Sequence, residues 1–379
     1  METLIKNYID NSTEELQSLL KALVEIPAPS HHEEKRAEFV KDWLESQGAK
    51  GVYIDKALNC VYPINCYNSN DIVVFCAHTD TVFPDTTPFE LNSDGEYFYA
   101  PGVCDDTSSL TMMLMATKFI IKNKLKPKRG VLIVANSCEE GLGNLKGTKQ
   151  IMEDYKGRVT EFYTFDGNYS HVAPRCVGSH RYEVNCEAEG GHSFGNFGKE
   201  SAIHNLAKLI TELYAVEMPV KQNAKTTFNV GIIEGGTSVN TIAQNAKMLY
   251  EYRSDDVECL KYMEDFFHQT IDKFNQEGKA KFTVNTVGIR PCAVSVDENK
   301  LNAMTKRVIS VCENRSKKPC TLTTMSTDCN IPLSLGIPAV CVGVYDGSGE
   351  HRREEKLLIS SLPIGLNICL DLMLDNFGE

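Results

Sequence analysis

No apolar stretch in this chain approaches the roughly 18 consecutive residues that a membrane-crossing helix needs, so a membrane-spanning reading is excluded. Tight C-x-x-C pairs are also missing. The 14 cysteines are scattered, many inside apolar runs, as Cys76, Cys341 and Cys369 are. That distribution fits reduced thiols and predicts a cytoplasmic protein. Positive charge is in deficit: Lys and Arg number 39 against 51 Asp and Glu, a net charge of −12. Such a chain has no broad attraction for phosphate backbones, which excludes a nucleic-acid partner. The opening Met1-Glu2-Thr3-Leu4-Ile5-Lys6-Asn7 lacks a basic start followed by an apolar run, so no secretory signal is expected. With 42% apolar and 24% charged residues, the composition excludes collagen-like, low-complexity and disordered classes. The 379 residues suggest two or three domains.

What is present reads first as an α/β pattern. Leu16, Leu19, Leu20 and Leu23 fall at helical spacing within 14–24, with Thr13 as cap and Pro27 and Pro29 as stops. A second helix over about 33–46 would bury Ala37, Phe39, Val40 and Leu44. Short apolar runs at 72–77, 131–135, 162–165 and 339–344 lack polar alternation, as strands covered on both faces require. Helical patterns such as 110–121 separate several of them, which predicts a mostly parallel sheet with helices on both faces.

The middle of the chain differs. Residues 182–189 alternate with a period near two, 201–216 are helical with Ile203, Leu206, Ile210 and Leu213 along one stripe, and 227–233 and 247–253 read as strands. A helix follows over 257–276, with Leu260, Met263, Phe267, Ile271 and Phe274 on one face, then alternation at 281–287. The order β-α-β-β-α-β is the split βαβ, ferredoxin-like arrangement. It predicts an inserted α+β domain at 178–291 within a larger domain made of 1–177 and 292–379.

Five sets of acids and imidazoles carry the chemistry. His78-Thr79-Asp80, Glu139-Glu140, Asp166 and His351 follow the four apolar runs, and Asp105-Asp106 sits in a turn-like stretch. Taken singly, each has an ordinary account: a loop hydrogen bond, a turn, a helix cap, a solvated face or a basic surface patch beside Arg352 and Arg353. Jointly they fit a parallel sheet, whose ligands bind beyond the carboxyl ends of the strands. So many acids repel unless neutralised, and a divalent cation neutralises them. Two imidazoles with several carboxylates suit zinc, with cobalt or manganese as alternatives. Their number exceeds one catalytic zinc and fits two metals about 3.5–4 Å apart.

The strings Ala77-His78-Thr79-Asp80-Thr81-Val82, Gly102-Val103-Cys104-Asp105-Asp106, Glu139-Glu140-Gly141-Leu142-Gly143 and Gly190-Gly191-His192-Ser193 together resemble the motifs of one family. Ser326-Thr327-Asp328 and Leu335-Gly336-Ile337-Pro338 also fit. It is the di-zinc metallopeptidase and deacylase superfamily of clan MH, which includes peptidase T, glutamate carboxypeptidases, aminoacylase and succinyl-diaminopimelate desuccinylase. The resemblance implies that His78 and Asp166 bind one metal, Glu140 and His351 the other, and that Asp105 bridges both, followed by a cis peptide to Asp106. It implies that Asp80 orients His78 through the ring's other nitrogen. Glu139 is implied as the general base, taking a proton from the bridging water and passing it to the leaving nitrogen. His192 is implied to polarise the scissile carbonyl, and Asn240 and Arg253 to contact substrate, arginine's fork suiting a carboxylate.

Departures from the family pattern are local. Arg352 and Arg353 stand where a small polar residue is frequent, and surface pairs with Glu350, Glu354 and Glu355 are expected for them. Thr107-Ser108-Ser109 replaces the usual lysine or glycine. Cys76, Cys104 and Cys138 near the site are expected to be small buried hydrophobes. The glycines of 343–349 allow either a flexible loop or close backbone approach to substrate.

The expected activity is metal-dependent hydrolysis of peptide bonds in short peptides. Aspartate at position 166 tilts the family resemblance toward aminopeptidases and dipeptidases of the peptidase T type. An N-acyl amino-acid amidohydrolase or a carboxypeptidase on the same site is the alternative. A metal-binding protein without activity is a further alternative, opposed by the intact Glu139 and Asp80. The resemblance also implies a homodimer formed through the inserted domain.

Overall fold

A computed structural model describes residues 1–378. The chain divides into two compact units, one of Met1–Cys176 with Val294 onward, the other of Val177–Ala293.

The first unit is built on an eight-stranded sheet. Its strands are β1 (Tyr53–Ile54), β2 (Cys60–Ile64), β3 (Ile72–His78), β4 (Gly130–Asn136), β5 (Val159–Phe165), β6 (His171–Cys176), β7 (Thr321–Met325) and β8 (Ala339–Val342). Their order across the sheet is β1-β2-β4-β3-β5-β8-β6-β7. The central four, β4, β3, β5 and β8, run parallel. Every residue of β3, β4 and β8 is buried. That is why these runs carry no polar alternation: both faces are covered.

On one face Val73, Phe75 and Ala77 pack into a core with Met112, Met115 and Phe119 of the helix Ser109–Lys122. Phe75 stacks on Tyr163, ring centres 5.1 Å apart. On the other face lies Cys76, beside Thr164, Asp328 and Cys329. The helices Lys146–Asp154 and Asn330–Ser334 pack on each other. All fourteen cysteines are free thiols, and all but Cys320 are buried. No helix among the described residues is long and apolar enough to cross a membrane.

Three local expectations are corrected. Ser12, not Thr13, holds the N-cap position of the helix Thr13–Val24, and its Oγ donates to the Tyr8 carbonyl at 2.6 Å. In the helix Glu34–Gln47 the buried face is Arg36, Ala37, Val40 and Leu44, and Phe39 is only half-buried. The glycines near 347 are not a free loop, because Gly347–Ser348 pairs with the strand Lys356–Leu358.

The second unit is a four-stranded antiparallel sheet in the order Thr226–Gly235, Asn245–Ser254, Gly178–Glu187, Lys281–Arg290. The helices Ala202–Tyr214 and Val257–Gln276 cover one face, where Tyr182, Val184, Met248, Tyr250 and Tyr252 meet Leu206, Leu209, Met263 and Phe267. This is the β-α-β-β-α-β order read from the sequence. The first helix is rotated from the expected stripe. Leu206, Leu209 and Leu213 face the sheet, while Ile203 is 43% exposed. Leu206, Leu209 and Leu213 recur at i, i+3 and i+7, as one helix face requires. Leu209→Ala should therefore cost about 2–5 kcal/mol and Ile203→Ala less than about 1 kcal/mol, read by urea unfolding of the full chain. A larger cost for Ile203→Ala than for Leu209→Ala would show that the sheet contacts the other stripe.

Candidate metal centre

The parallel register brings the carboxyl ends of β4, β3, β5 and β8 to one edge, with His78 opposite Asn136 and Phe165 opposite Val342. His78 is the last residue of β3. Asp166 follows β5 directly. Glu139 and Glu140 lie just beyond β4, and His351 follows β8 on a turn in which it takes a left-handed φ of 63°. Asp105 arrives from a separate loop, and its peptide bond to Asp106 is cis.

These side chains converge. His78 Nε2 lies 2.9 Å from Asp105 Oδ1. His351 Nε2 lies 3.1 Å from Asp105 Oδ2 and 3.2 Å from Glu140 Oε1. One carboxylate thus addresses one imidazole with each oxygen. Ligand atoms of His78, Asp105 and Asp166 lie within 4.8 Å of one another, as do those of Asp105, Glu140 and His351. Glu139 joins His78 and Glu140 in a third group of the same compactness.

The electrostatics show why such a cluster needs positive charge. Burial and the nearby Asp105 push the Asp166 carboxyl well above its ordinary range and raise Glu140 to about 7. Asp105 goes the other way: burial opposes its charge, but hydrogen bonds and charge from His351 and His78 outweigh it and hold the carboxylate low. His351 is pushed up to about 11 by its hydrogen bonds to Asp105 and Glu140. His78 is raised as well: burial disfavours its charge, and Asp105 and Asp80 override it. Without a cation, imidazolium protons supply the positive charge. The donor set, two imidazoles sharing one carboxylate with further acids on either side, fits two divalent cations.

Buried carboxylates that do not belong to this set shape the loops. Asp80 accepts the main-chain N–H of Glu139 and Glu140, each at 2.9 Å, and the Ser30 hydroxyl at 2.6 Å. Glu33 accepts the N–H of Cys138 at 2.9 Å. Asp106 accepts the N–H of His78 at 3.0 Å. Glu355 accepts three N–H groups, from Gly102, Cys104 and Asp105, at 2.7–2.9 Å. The expectation for Asp80 is refined. The Nδ1 of His78 meets the main-chain carbonyl of Asp80 at 3.0 Å and its carboxylate only at 3.5 Å, so the main chain orients the ring first.

Arg36 completes this framework. Its fully buried guanidinium donates to the carbonyls of Leu23, Ile26 and Thr79, the last at 2.7 Å. Asp328 accepts from Asn136 Nδ2 at 2.7 Å and from Thr148 Oγ1. The sequence reading missed Ser30, Glu33, Arg36 and the place of Glu355. A signal was there: Glu33 and Arg36 share a helical stripe with Ala37, Val40 and Leu44, and charge inside an apolar stripe marks buried hydrogen bonding. The expected pairing of Arg353 with Glu350, Glu354 or Glu355 is overturned. Arg353 pairs with Asp85 at 2.8 Å and lies over the Phe83 ring. Glu355 is buried and committed to main-chain N–H groups, so it is withdrawn from surface pairing.

In the second unit, a short ribbon sets His192 opposite Thr241, next to Asn240, whose carbonyl accepts the Ser193 N–H at 3.0 Å. His192 Nδ1 accepts the N–H groups of Phe194 and Gly195, both at 3.2 Å. The neutral ring must then carry its proton on Nε2. Arg253 sits on the strand Asn245–Ser254, where both its Nε and Nη2 donate to Glu251 at 3.0 Å.

A family model described as peptidase family M20/M25/M40 matches residues 74–375. Succinyl-diaminopimelate desuccinylase of Corynebacterium glutamicum is 23% identical over 353 residues, 91% of this chain and 92% of that protein. A tripeptidase from Staphylococcus aureus has a TM-score of 0.74 at 20% identity, covering 95% of this chain and 97% of that one. An M20-family metallo-carboxypeptidase from Sulfolobus solfataricus has a TM-score of 0.75 at 17% identity, covering 95% and 98%. At these identities the structural likeness is one of fold.

The protonated imidazoles lead to a measurable consequence. Both histidine pKa values are raised, so both rings hold protons at pH 7 and must lose them to become ligands. Adding Zn²⁺ to the metal-free chain should displace protons from both imidazoles and from the raised carboxyls of Asp166 and Glu140, about three in all, and apparent affinity should rise with pH. Calorimetry in buffers of different ionisation enthalpy checks this; heats independent of buffer would refute it.

Proposed function

The chain belongs to peptidase family M20/M25/M40, and from that premise we propose that it hydrolyses peptide bonds in short peptides, in the manner of peptidase T-type aminopeptidases. The observation that carries this reading is the Asp105 carboxylate shared between His78 and His351, with Glu140, Asp166 and Glu139 around it. His78 and Asp166 would hold one divalent cation, Glu140 and His351 the other, and Asp105 both. Zinc suits this donor set best, with cobalt or manganese as substitutes. Two such cations, when bound, polarise the scissile carbonyl and acidify a water held at the site.

The remaining steps belong to the chain. Glu139, fixed by the bond from its N–H to Asp80, takes a proton from the attacking water. The water oxygen bonds to the carbonyl carbon, the C–N bond breaks, and Glu139 returns the proton to the departing amine. His192, with its proton on Nε2, donates to the oxygen that gains negative charge. Arg253 exchanges Glu251 for a substrate carboxylate, and Asn240 hydrogen-bonds the substrate main chain. The similarity to a tripeptidase and the aspartate at 166 support short peptides as substrates. The similarity to a desuccinylase supports a second reading, removal of an acyl group from an N-acyl amino acid.

A second copy of the chain is the proposed partner. It would pair along the edge strand Thr226–Gly235, where Ile232 and Ile233 are 48% and 54% exposed. The free thiols support a reducing, cytoplasmic setting.

Hydrolysis of di- and tripeptides should vanish with a chelator and return with Zn²⁺, Co²⁺ or Mn²⁺. Glu139→Ala should keep both metals and lose about 10²–10⁴-fold in kcat. Activity that survives complete metal removal, or a Glu139→Ala enzyme with normal turnover, would contradict the proposal. Arg253→Ala should raise KM about tenfold or more on substrates with a free carboxylate and leave kcat within a few-fold. Mass spectrometry of products from a mixed library decides between the readings: free amino-terminal residues support the peptidase, released acetate or succinate the deacylase.

A further inference from the structure

Glu355 lies four residues beyond His351 and is buried. Its Oε2 accepts the N–H of Gly102 at 2.8 Å, and its Oε1 accepts those of Cys104 and Asp105 at 2.7 and 2.9 Å. The same segment grips the Asp105 loop by its main chain. The Glu355 carbonyl accepts the Ala100 N–H at 3.3 Å, and the Lys356 carbonyl accepts the Cys104 thiol at 3.1 Å. The strand Lys356–Leu358 pairs with Tyr97–Tyr99 just before that loop. The loop is also tight on its far side: Gly102 has a φ of 71°, and a Cβ there would lie 2.6 Å from Thr81 Cγ2.

The His351 turn closes on the same residue. The Arg352 N–H donates to the Gly349 carbonyl at 2.9 Å, and the Glu355 N–H donates to the Arg352 carbonyl at 3.2 Å. Glu355 therefore holds two chain segments some 250 residues apart, one carrying Asp105 and the other His351. The side chains of those two residues meet at 3.1 Å.

We propose that Glu355 is a positioning residue that sets the distance between Asp105 and His351, and so the affinity and spacing of the cation held by Asp105, Glu140 and His351. The inference rests on the metal-dependent reading above. The two carboxyl oxygens have lone pairs for all three N–H groups. The isosteric amide of Glu355→Gln keeps one oxygen and turns an NH₂ toward an N–H. The loop and the turn then lose their common anchor while the shape of the site is kept. The other cation set, His78 and Asp166 with Asp105, has its outer ligands at the end of β3 and directly after β5 and depends on Glu355 only through Asp105.

Co²⁺ titration of the metal-free full chain, followed by its visible absorption, tests this. The wild type should take up two equivalents. Glu355→Gln should bind one Co²⁺ with affinity within a few-fold of wild type and the other about 10–100-fold more weakly. It should lose kcat in step with the weaker site and hold KM within about twofold. A Glu355→Gln chain that melts lower but binds both ions as wild type does would show a role in folding only, and would overturn the proposal. If that variant does not fold, hydrogen exchange on the metal-free wild type decides. The N–H groups of Gly102, Cys104 and Asp105 should exchange about 100-fold more slowly than an open loop, and exchange at the open-loop rate would overturn the proposal. A wild type that takes up no Co²⁺ and hydrolyses nothing would instead remove the metal-dependent reading, and this inference with it.

Discussion

The centre depends on one recurring interaction: a buried carboxylate accepting main-chain N–H groups from a loop that carries a ligand. Asp80 does this for Glu139 and Glu140, and Glu355 for Gly102, Cys104 and Asp105; Glu33 accepts one such group, from Cys138, and Asp106 one, from His78 at the end of β3. A loop between buried strands has N–H groups that no sheet ladder satisfies, and leaving them unpaired costs about 1–3 kcal/mol each. A carboxylate with several lone pairs satisfies two or three at once and fixes their relative positions. The ligand side chains are thereby placed by the main chain, with little left to rotamer choice.

That scaffold lets the site hold charge that would otherwise drive it apart. Asp105, Glu140, Asp166 and Glu139 crowd together, and their mutual repulsion shows in the raised carboxyls of Asp166 and Glu140. The stored repulsion is the affinity for cations: what protons on His78 and His351 balance partially, two divalent ions balance fully. Asp80 accepts the Glu139 N–H and so holds Glu139 beside the cluster, near His78 and Glu140. Within the second unit, His192 Nδ1 accepts two main-chain N–H groups and Arg253 donates to Glu251.

Much of the architecture was legible in the sequence because burial on both faces leaves a strong pattern. Before their last residues, His78 and Asn136, β3 and β4 carry no polar side chain, nor does β8, and the helix Val257–Gln276 was read to the residue because its apolar face persists over its whole length. Elements failed where competing signals were close in energy. Ile203 and Leu209 flank the shared Leu206 and Leu213 stripe on opposite sides, about 120° apart on an ideal helix, and only the sheet beneath decides which side is covered. Phe39 outranks Arg36 in hydrophobicity, yet Arg36 is buried because three carbonyls wait for it.

Residue types, their order and their positions after apolar runs can be read without a structure. Those named His78, Glu139, Glu140, Asp166 and His351, since an acid or imidazole beyond a buried strand is a local feature, while Asp105 stood out by its turn-like stretch and its motif. Folding set one Asp105 oxygen against each imidazole. It also turned Arg353 to Asp85 and brought Glu355 to the Asp105 loop. These are contacts between segments tens to hundreds of residues apart. A hydrogen bond depends on distances of a few tenths of an ångström, and a linear order of residues carries none of them.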